Sequence, residues 1–340
     1  MSPLIIVIIV VCAAVLLVCA FMLGFAAYAQ HKGFGGRFEK NPLLKYFTPE
    51  EFNLKTIPVA TKCHNVQLKG LIYYKGDLVS AKKLIILSHG MGPGQCAYTT
   101  GIAFFCNNGC AVLAFDCAGS GLSGGRSLGG LENSTRALVA AYRFAVSTPM
   151  LCNLKICFVG HSMGAYSALC ATKFVHPQCV VAFSSPERPS LMVERGAAEV
   201  TGAAFAKFLR PFVKVLSFFR FGSYADLSAS RCIARSGVPA LVFHGDRDRD
   251  VPLPLSAYAR LCSSAEKGPA IPVYCAGKAH NPYNTIAAEK LLRELKEGLA
   301  RSDKMSEEER KEFFSSRDYT KICEEDSVVM NQVLTFIMSN

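Results

Sequence analysis

Short apolar runs recur along the chain at residues 83–88, 110–115, 154–159, 179–183, 239–243 and 271–275. Helix-like stretches fall between most of them, at about 96–107, 131–147, 163–175 and 254–263. Runs of this length bounded by turns fit strands buried on both faces. Their alternation with helices predicts an α/β fold with a mostly parallel central sheet and helices on both sides. Val66, Leu68 and residues 71–74 add strands ahead of these. The rhythm breaks once. Residues 186–237 hold no convincing strand but carry apolar and basic residues at mixed helical spacing, which predicts a helical cap inserted over the sheet. After the last strand, Ser306 and Glu309 predict a capping box, and Val329, Val333, Phe336 and Ile337 share one face of a closing helix.

The composition, 51% hydrophobic and 19% charged over 340 residues, belongs to an ordered, core-forming chain. Residues 3–29 carry no charge. At helical rise they reach about 40 Å, against about 30 Å for a hydrocarbon core, so one tilted transmembrane helix precedes the fold. Ala27-Tyr-Ala29 resembles a signal-peptide cleavage site, but MSPLII lacks a charged start and the apolar stretch is too long, which favours an uncleaved anchor. Lys32, Arg37, Lys40 and Lys45 follow the anchor and predict a cytoplasmic domain. The expected organisation is an anchor over 1–30, a juxtamembrane linker over 31–51 broken by Gly33, Gly35, Gly36 and Pro42, and a folded domain over 52–340. Beyond the anchor the cysteines show no CxxC pair and no regular spacing, so they read as free thiols in the core. The sequon at Asn133 matters only on the far side of a membrane. The net charge of +11 is scattered and accompanied by no nucleic-acid motif, which suits an anionic lipid surface better than a nucleic-acid partner.

Three glycine-rich loops follow predicted strands. Gly119, Gly121 and Gly124 spell GxGxxG, but the next strand ends in Gly160-His161-Ser162 with no acid for a ribose, and no GK[ST] occurs. A tight loop and no cofactor are expected. The pattern GxSxG occurs twice, around Ser123 and around Ser162. A nucleophile elbow needs a strand running into the turn and a helix leaving it at once. Ser123 lies in a wide loop, whereas Ser162 stands between a strand end and a helix that starts at Met163. A serine also needs a base, with an acid preceding that base in this architecture. Of the histidines that follow Ser162, His176 has no acid before it, and His244 heads a loop that it is expected to brace. His280 remains, on a loop at the carboxyl edge of the sheet. The loop after the preceding strand offers Asp246, Asp248 and Asp250.

Gly160-His-Ser-Met-Gly164, His244-Gly-x-x-Asp248-x-x-Val251-Pro252 and Gly277-Lys-Ala-His280 together resemble the α/β-hydrolase superfamily, most nearly its monoacylglycerol-lipase and serine-aminopeptidase-like branch. The resemblance spans about 55–340 apart from the cap. It implies Asp248 as the triad acid, since that residue is fifth in the His-Gly-led motif. It also implies that Ser88-His89-Gly90-Met91 supplies one oxyanion donor, the backbone N–H of Met91, beside that of Met163. The loop Asp116-Cys-Ala-Gly-Ser-Gly-Leu-Ser123 departs from the superfamily's DxRGxGxS by lacking the arginine.

The expected activity is hydrolysis of an acyl ester or thioester, lipase or esterase in type, by Ser162, Asp248 and His280, with no metal or cofactor. Two alternatives stand beside it. One is a serine aminopeptidase-like peptidase holding a free amino group through Glu187, Glu194 or Glu199; the other is a catalytically silent scaffold. Residues 205–224 interleave phenylalanines with Lys207, Arg210, Lys214 and Arg220, which predicts a cap that meets lipid through Phe212, Phe218 and Phe219. Pro211 predicts a break in its helix.

Overall fold

A computed structural model describes residues 2–340. A long helix, α1 (Pro3–Phe34), precedes an eight-stranded sheet. In chain order the sheet and its connections run β1 (Lys55–Cys63), β2 (Val66–Tyr74), β3 (Lys83–Ser88), α2 (Thr99–Asn107), β4 (Cys110–Phe115), α3 (Leu131–Ser147), β5 (Ile156–His161), α4 (Met163–Ala171) and β6 (Cys179–Phe183). Three cap helices follow, α5 (Pro189–Thr201), α6 (Ala203–Phe221) and α7 (Ala229–Ser236), then β7 (Ala240–Gly245), α8 (Ala257–Ser263) and β8 (Ala270–Cys275). Four helices close the chain: α9 (Ile286–Arg301), α10 (Glu307–Ser315), α11 (Tyr319–Ile322) and α12 (Ser327–Ser339).

The strand order is β1-β2-β4-β3-β5-β6-β7-β8, with β2 antiparallel to both β1 and β4 and every other pairing parallel. Alternation sends Leu84, Ile86, Phe158 and Val242 to the face covered by α3, α4 and the cap, and Ile85, Leu87, Val159 and Phe243 to the face covered by α2 and α12. Both faces are therefore dry, and the polar machinery is left to the carboxyl ends of the strands. The cysteines are free, and Cys106, Cys110, Cys157, Cys170 and Cys179 are buried as small apolar fillers.

Several expectations need correction. The strand β1 is absent from the sequence reading because Pro58 and a half-exposed pattern mask it; as the edge strand it has no partner beyond Pro58 to lose. Helix α9 was also unanticipated. The helix α1 passes through Gly33 to Phe34, and the stretch after it is not a loose linker. Arg37 donates to the carbonyls of Gly121 at 2.7 Å, Gly125 at 2.9 Å and Ser123 at 3.0 Å, Phe38 pairs with the backbone of Gly119 and Gly121, and Leu43, Leu44 and Phe47 pack beside α9 and α11. The glycine loop leaves carbonyls unpaired, and Arg37 collects them. Pro211 does not break α6, because it and Lys207, whose carbonyl it leaves free, lie on the exposed side where water meets that oxygen. The capping box of Ser306 and Glu309 is present.

Glu132, in the first turn of α3 under the cap, is almost wholly buried. Burial pushes its carboxyl up to about 7, against the hydrogen bonds it accepts and with help from Asp226. The folded state thus keeps a proton that the unfolded state releases, so stability falls between about pH 4.5 and pH 7 and is level above, by on the order of 3 kcal/mol at most. Melting curves of Glu132→Gln should show this fall flattened; an unchanged slope would assign it to other groups.

Candidate active site

The strand β5 is buried throughout, and α4 leaves it after a single residue. That residue is Ser162, at φ 54° and ψ −117°, a backbone state that costs about 1–3 kcal/mol in a non-glycine residue. Between Ile156 and Thr172 every side chain except Ser162 is buried. Its hydroxyl makes no capping hydrogen bond to the helix it starts. The turn closes only because its flanks are glycine: a Cβ on Gly164 would stand 1.9 Å from the carbonyl oxygen of Ser88, and one on Gly160 would stand 2.3 Å from that of Gly164. Gly164→Ala should therefore cost roughly 4 kcal/mol or more and eliminate folded protein, whereas Gly196→Ala, with open space around it, should keep or raise the melting temperature.

Ser123 has a different environment. It is buried, its Oγ accepts from the N–H of Lys69 at 2.8 Å and donates to the carbonyl of Asp116 at 2.6 Å, and so it binds the loop to β2. Asp116 is likewise spent on structure, accepting from the N–H of Leu122 within the loop and from that of Gln95 in the segment after β3. The positive φ of Gly119 and Gly121, where a Cβ would strike Ser127 and Asp116, accounts for those glycines by packing.

His280 follows β8, and its Nδ1 lies 2.9 and 3.0 Å from the two carboxylate oxygens of Asp248, which follows β7. The Nδ1–H therefore donates to Asp248, and Nε2 keeps its lone pair. Burial raises the Asp248 carboxyl, but the His280 hydrogen bond and charge, the Val251 N–H and His244 together outweigh it, so the group ends below the ordinary aspartate range. Oδ1 also accepts from the N–H groups of Asp250 and Val251. The neighbouring acids have other tasks: Asp246 accepts from the Gly277 N–H and the Tyr274 hydroxyl, and exposed Asp250 faces Lys296 at 3.5 Å. His244 is fully buried, holds the Val251 carbonyl through Nε2–H and stacks on Tyr258, which makes it a brace for the Asp248 loop. His176 is exposed beyond the far end of α4.

The turn expected to supply an oxyanion donor is also rigid. His89 is buried, Cys117 N–H donates to its Nε2 at 2.8 Å, and its Nδ1–H donates to the Gly90 carbonyl at 2.7 Å. Met91 follows on that turn, and Met163, as the first residue of α4, has an N–H that no helical carbonyl can satisfy.

Sequence reasoning gave no role to His161, Tyr98, Lys278 or Glu289. The His161 Nε2–H donates to the His280 carbonyl at 3.0 Å, its Nδ1 accepts from the Tyr98 hydroxyl at 2.9 Å, and that oxygen accepts the Gly90 N–H at 2.8 Å. One neutral ring thereby joins the elbow, the His280 loop and the Gly90 turn; burial, then the charge of His280, pushes it down to about 3. Glu289 accepts both N–H groups flanking His280, from Ala279 at 2.6 Å and Asn281 at 3.0 Å, and Lys278 pairs with Asp326 at 2.8 Å. A histidine inside GHSMG was visible beforehand, but nothing in spacing connects residues 98, 161 and 280. His161→Phe should lower kcat by about 100-fold while KM changes by less than about threefold, since it moves the positions of groups and touches no substrate. Steady-state kinetics at matched melting temperature checks this.

The carboxylates considered for an amino-group site are each engaged: Glu187 accepts from Ser228 and Ser230, Glu194 faces Arg210 at 3.3 Å, and Glu199 faces Arg195 at 3.8 Å.

A parallel sheet with a strained serine at the tip of β5 and an acid and histidine at the tips of β7 and β8 defines the architecture of an α/β hydrolase. The model of the alpha/beta hydrolase family matches residues 85–316, and this chain belongs to that family. Comparison with curated proteins finds no match. Among solved structures, the chain is similar to an esterase from Pyrococcus furiosus, at 22% identity and a TM-score of 0.54, covering 78% of this chain and 98% of that one. It is also similar to Est1E from Butyrivibrio proteoclasticus, at 17% identity and a TM-score of 0.50, covering 73% and 99%. At these identities the likeness is one of fold.

Proposed function

We propose that this chain is a membrane-anchored serine hydrolase that cleaves an acyl ester or thioester, with Ser162 as nucleophile, His280 as base and Asp248 as its orienting acid. The observation that carries the reading is the His280–Asp248 pair at 2.9 Å, held at the same sheet edge as a strained, partly exposed serine. The esterase named among the similar structures agrees with an ester substrate.

In this reading Ser162 Oγ attacks the acyl carbonyl while His280 Nε2 takes its proton, and Asp248 stabilises the imidazolium. The N–H groups of Met91 and Met163 receive the developing oxyanion; each such donor is worth on the order of 100- to 1000-fold in rate. His280 returns the proton to the leaving alcohol or thiol, water enters by the same base, and Ser162 is freed. Residues 52–340 form the catalytic domain with its cap, facing the cytoplasm, and α1 is the anchor. Retention of α1 is supported by its own packing: cleavage after Ala29 would remove Met22 and Ala26, which are buried against the fold.

The test is labelling by a fluorophosphonate followed by a panel of esters and thioesters graded by acyl length. Labelling with a chain-length optimum supports the reading. A folded protein that neither labels nor turns over any acyl substrate would sink it.

A further inference from the structure

Every residue from Ser2 to Val18 is exposed, and the first buried one is Met22. From there Met22, Ala26, Gln30 and Phe34 repeat every fourth position and form one buried stripe along α1. The cap covers that stripe. Phe25 meets Phe205 edge-on with ring centroids 5.3 Å apart, Gln30 Nε2 donates to the buried Ser217 Oγ at 2.9 Å, and Arg220 donates to Gln30 Oε1 at 3.0 Å. A glutamine satisfied at both ends by the cap is a protein-facing residue, not a lipid-facing one. The uncovered part, Pro3–Phe21, rises about 28 Å, close to the roughly 30 Å of a hydrocarbon core.

The contacts also set the direction of α6. Phe205 and Ser217 lie about 18 Å apart along α6, while their partners Phe25 and Gln30 lie only about 8 Å apart along α1. The contact points on the cap helix therefore rise by only about 8 Å along the stem, and beside a spanning helix they stay close to the membrane surface. Its inner face, Ala206, Leu209, Val213 and Ser217, is buried in the domain. Its outer face presents Phe208, Val215, Phe218 and Phe219, with Phe219 80% exposed. Lys207 is exposed beside them and pairs with no carboxylate among the described residues, and Lys214 reaches Asp226 only at 3.8 Å. Aromatic and basic residues on one helix face suit the layer where acyl chains meet charged headgroups.

We propose that Pro3–Phe21 alone spans the bilayer, that Met22–Phe34 is a stem clamped to the cap, and that the phenylalanine and lysine face of α6 lies in the headgroup layer of an anionic leaflet. This rests on α1 being a retained anchor, and the test separates the two ideas. The chain contains no tryptophan, so single substitutions report cleanly. The variants are Phe21→Trp, Phe208→Trp, Phe218→Trp and, on α12 across the sheet, Val328→Trp. Each full-length protein is reconstituted in vesicles of equal phosphatidylcholine and phosphatidylserine brominated high on the acyl chain. The expected result is loss of most emission at positions 21, 208 and 218, with emission at 328 retained. Quenching at 21 without quenching at 208 and 218 overturns the seating of the cap while the anchor stands. No quenching at any position, with an amino terminus beginning after Ala29, overturns the anchor itself. Equal quenching at 208 in pure phosphatidylcholine overturns the preference for an anionic leaflet.

Discussion

Ser162→Ala should lose about 10⁶-fold in kcat and all fluorophosphonate labelling, and keep the melting temperature of the parent chain or exceed it. The expected size follows from the proposed triad acting as a unit, in which the base has nothing to activate once the hydroxyl is gone. The retained stability follows from the geometry: Ser162 sits at φ 54° and its hydroxyl caps nothing, so removing it breaks no structural bond. Ser123→Ala should give the opposite pattern. Labelling should persist while stability drops by roughly 1–3 kcal/mol, because the part-buried Lys69 N–H and the buried Asp116 carbonyl lose their partner. Activity-based labelling and thermal melts of the two variants, run together, discriminate the two GxSxG sites. Labelling that survives in Ser162→Ala and disappears in Ser123→Ala would reverse the assignment.

Asp248→Asn should keep the shape of the acid loop and lower kcat by about 10⁴-fold. An amide at this position presents its NH₂ or its oxygen to His280 Nδ1 and no longer stabilises the imidazolium, and it favours the tautomer with the proton on the wrong nitrogen. Asp246→Asn and Asp250→Asn lose far less, because those carboxylates serve the Gly277 and Tyr274 contacts and an exposed lysine. Pre-steady-state acylation rates measure this without interference from product release. Equal losses in all three variants would show that the loop as a whole, and not Asp248, supports the reaction.

How much of this was legible beforehand differs by element. The inner strands were readable because burial on both faces leaves unbroken apolar runs, as in KLIILS and CAVLAF. The elbow was readable because close packing at Gly160 and Gly164 excludes every side chain, and an exclusion of that kind is written in the residue type itself. The strand β1 was not, since a half-wet edge strand with a proline has no distinctive period. The tie from Tyr98 through His161 to His280 was not either: each residue is unremarkable in sequence, and their meeting depends on β3 and β5 being neighbours in a sheet whose order departs from chain order and on the loop after β8 reaching back past β7 and β6. The role of Arg37 was read only as a charge, because the carbonyls it gathers belong to a loop some 86 residues away.

That arginine, with Phe38 beside it, bolts the chain to the glycine loop directly after α1 ends. A tether of free residues would let the domain wander through a hemisphere and sample dissolved esters as readily as lipids. A bolted one removes the hinge, so that under the proposed anchoring Ser162 would keep one height and one heading above its leaflet. The quantity governing turnover of a lipid would then be its mole fraction in the plane of the membrane. Diluting the substrate with inert lipid should slow the enzyme, while diluting the whole suspension with buffer should not.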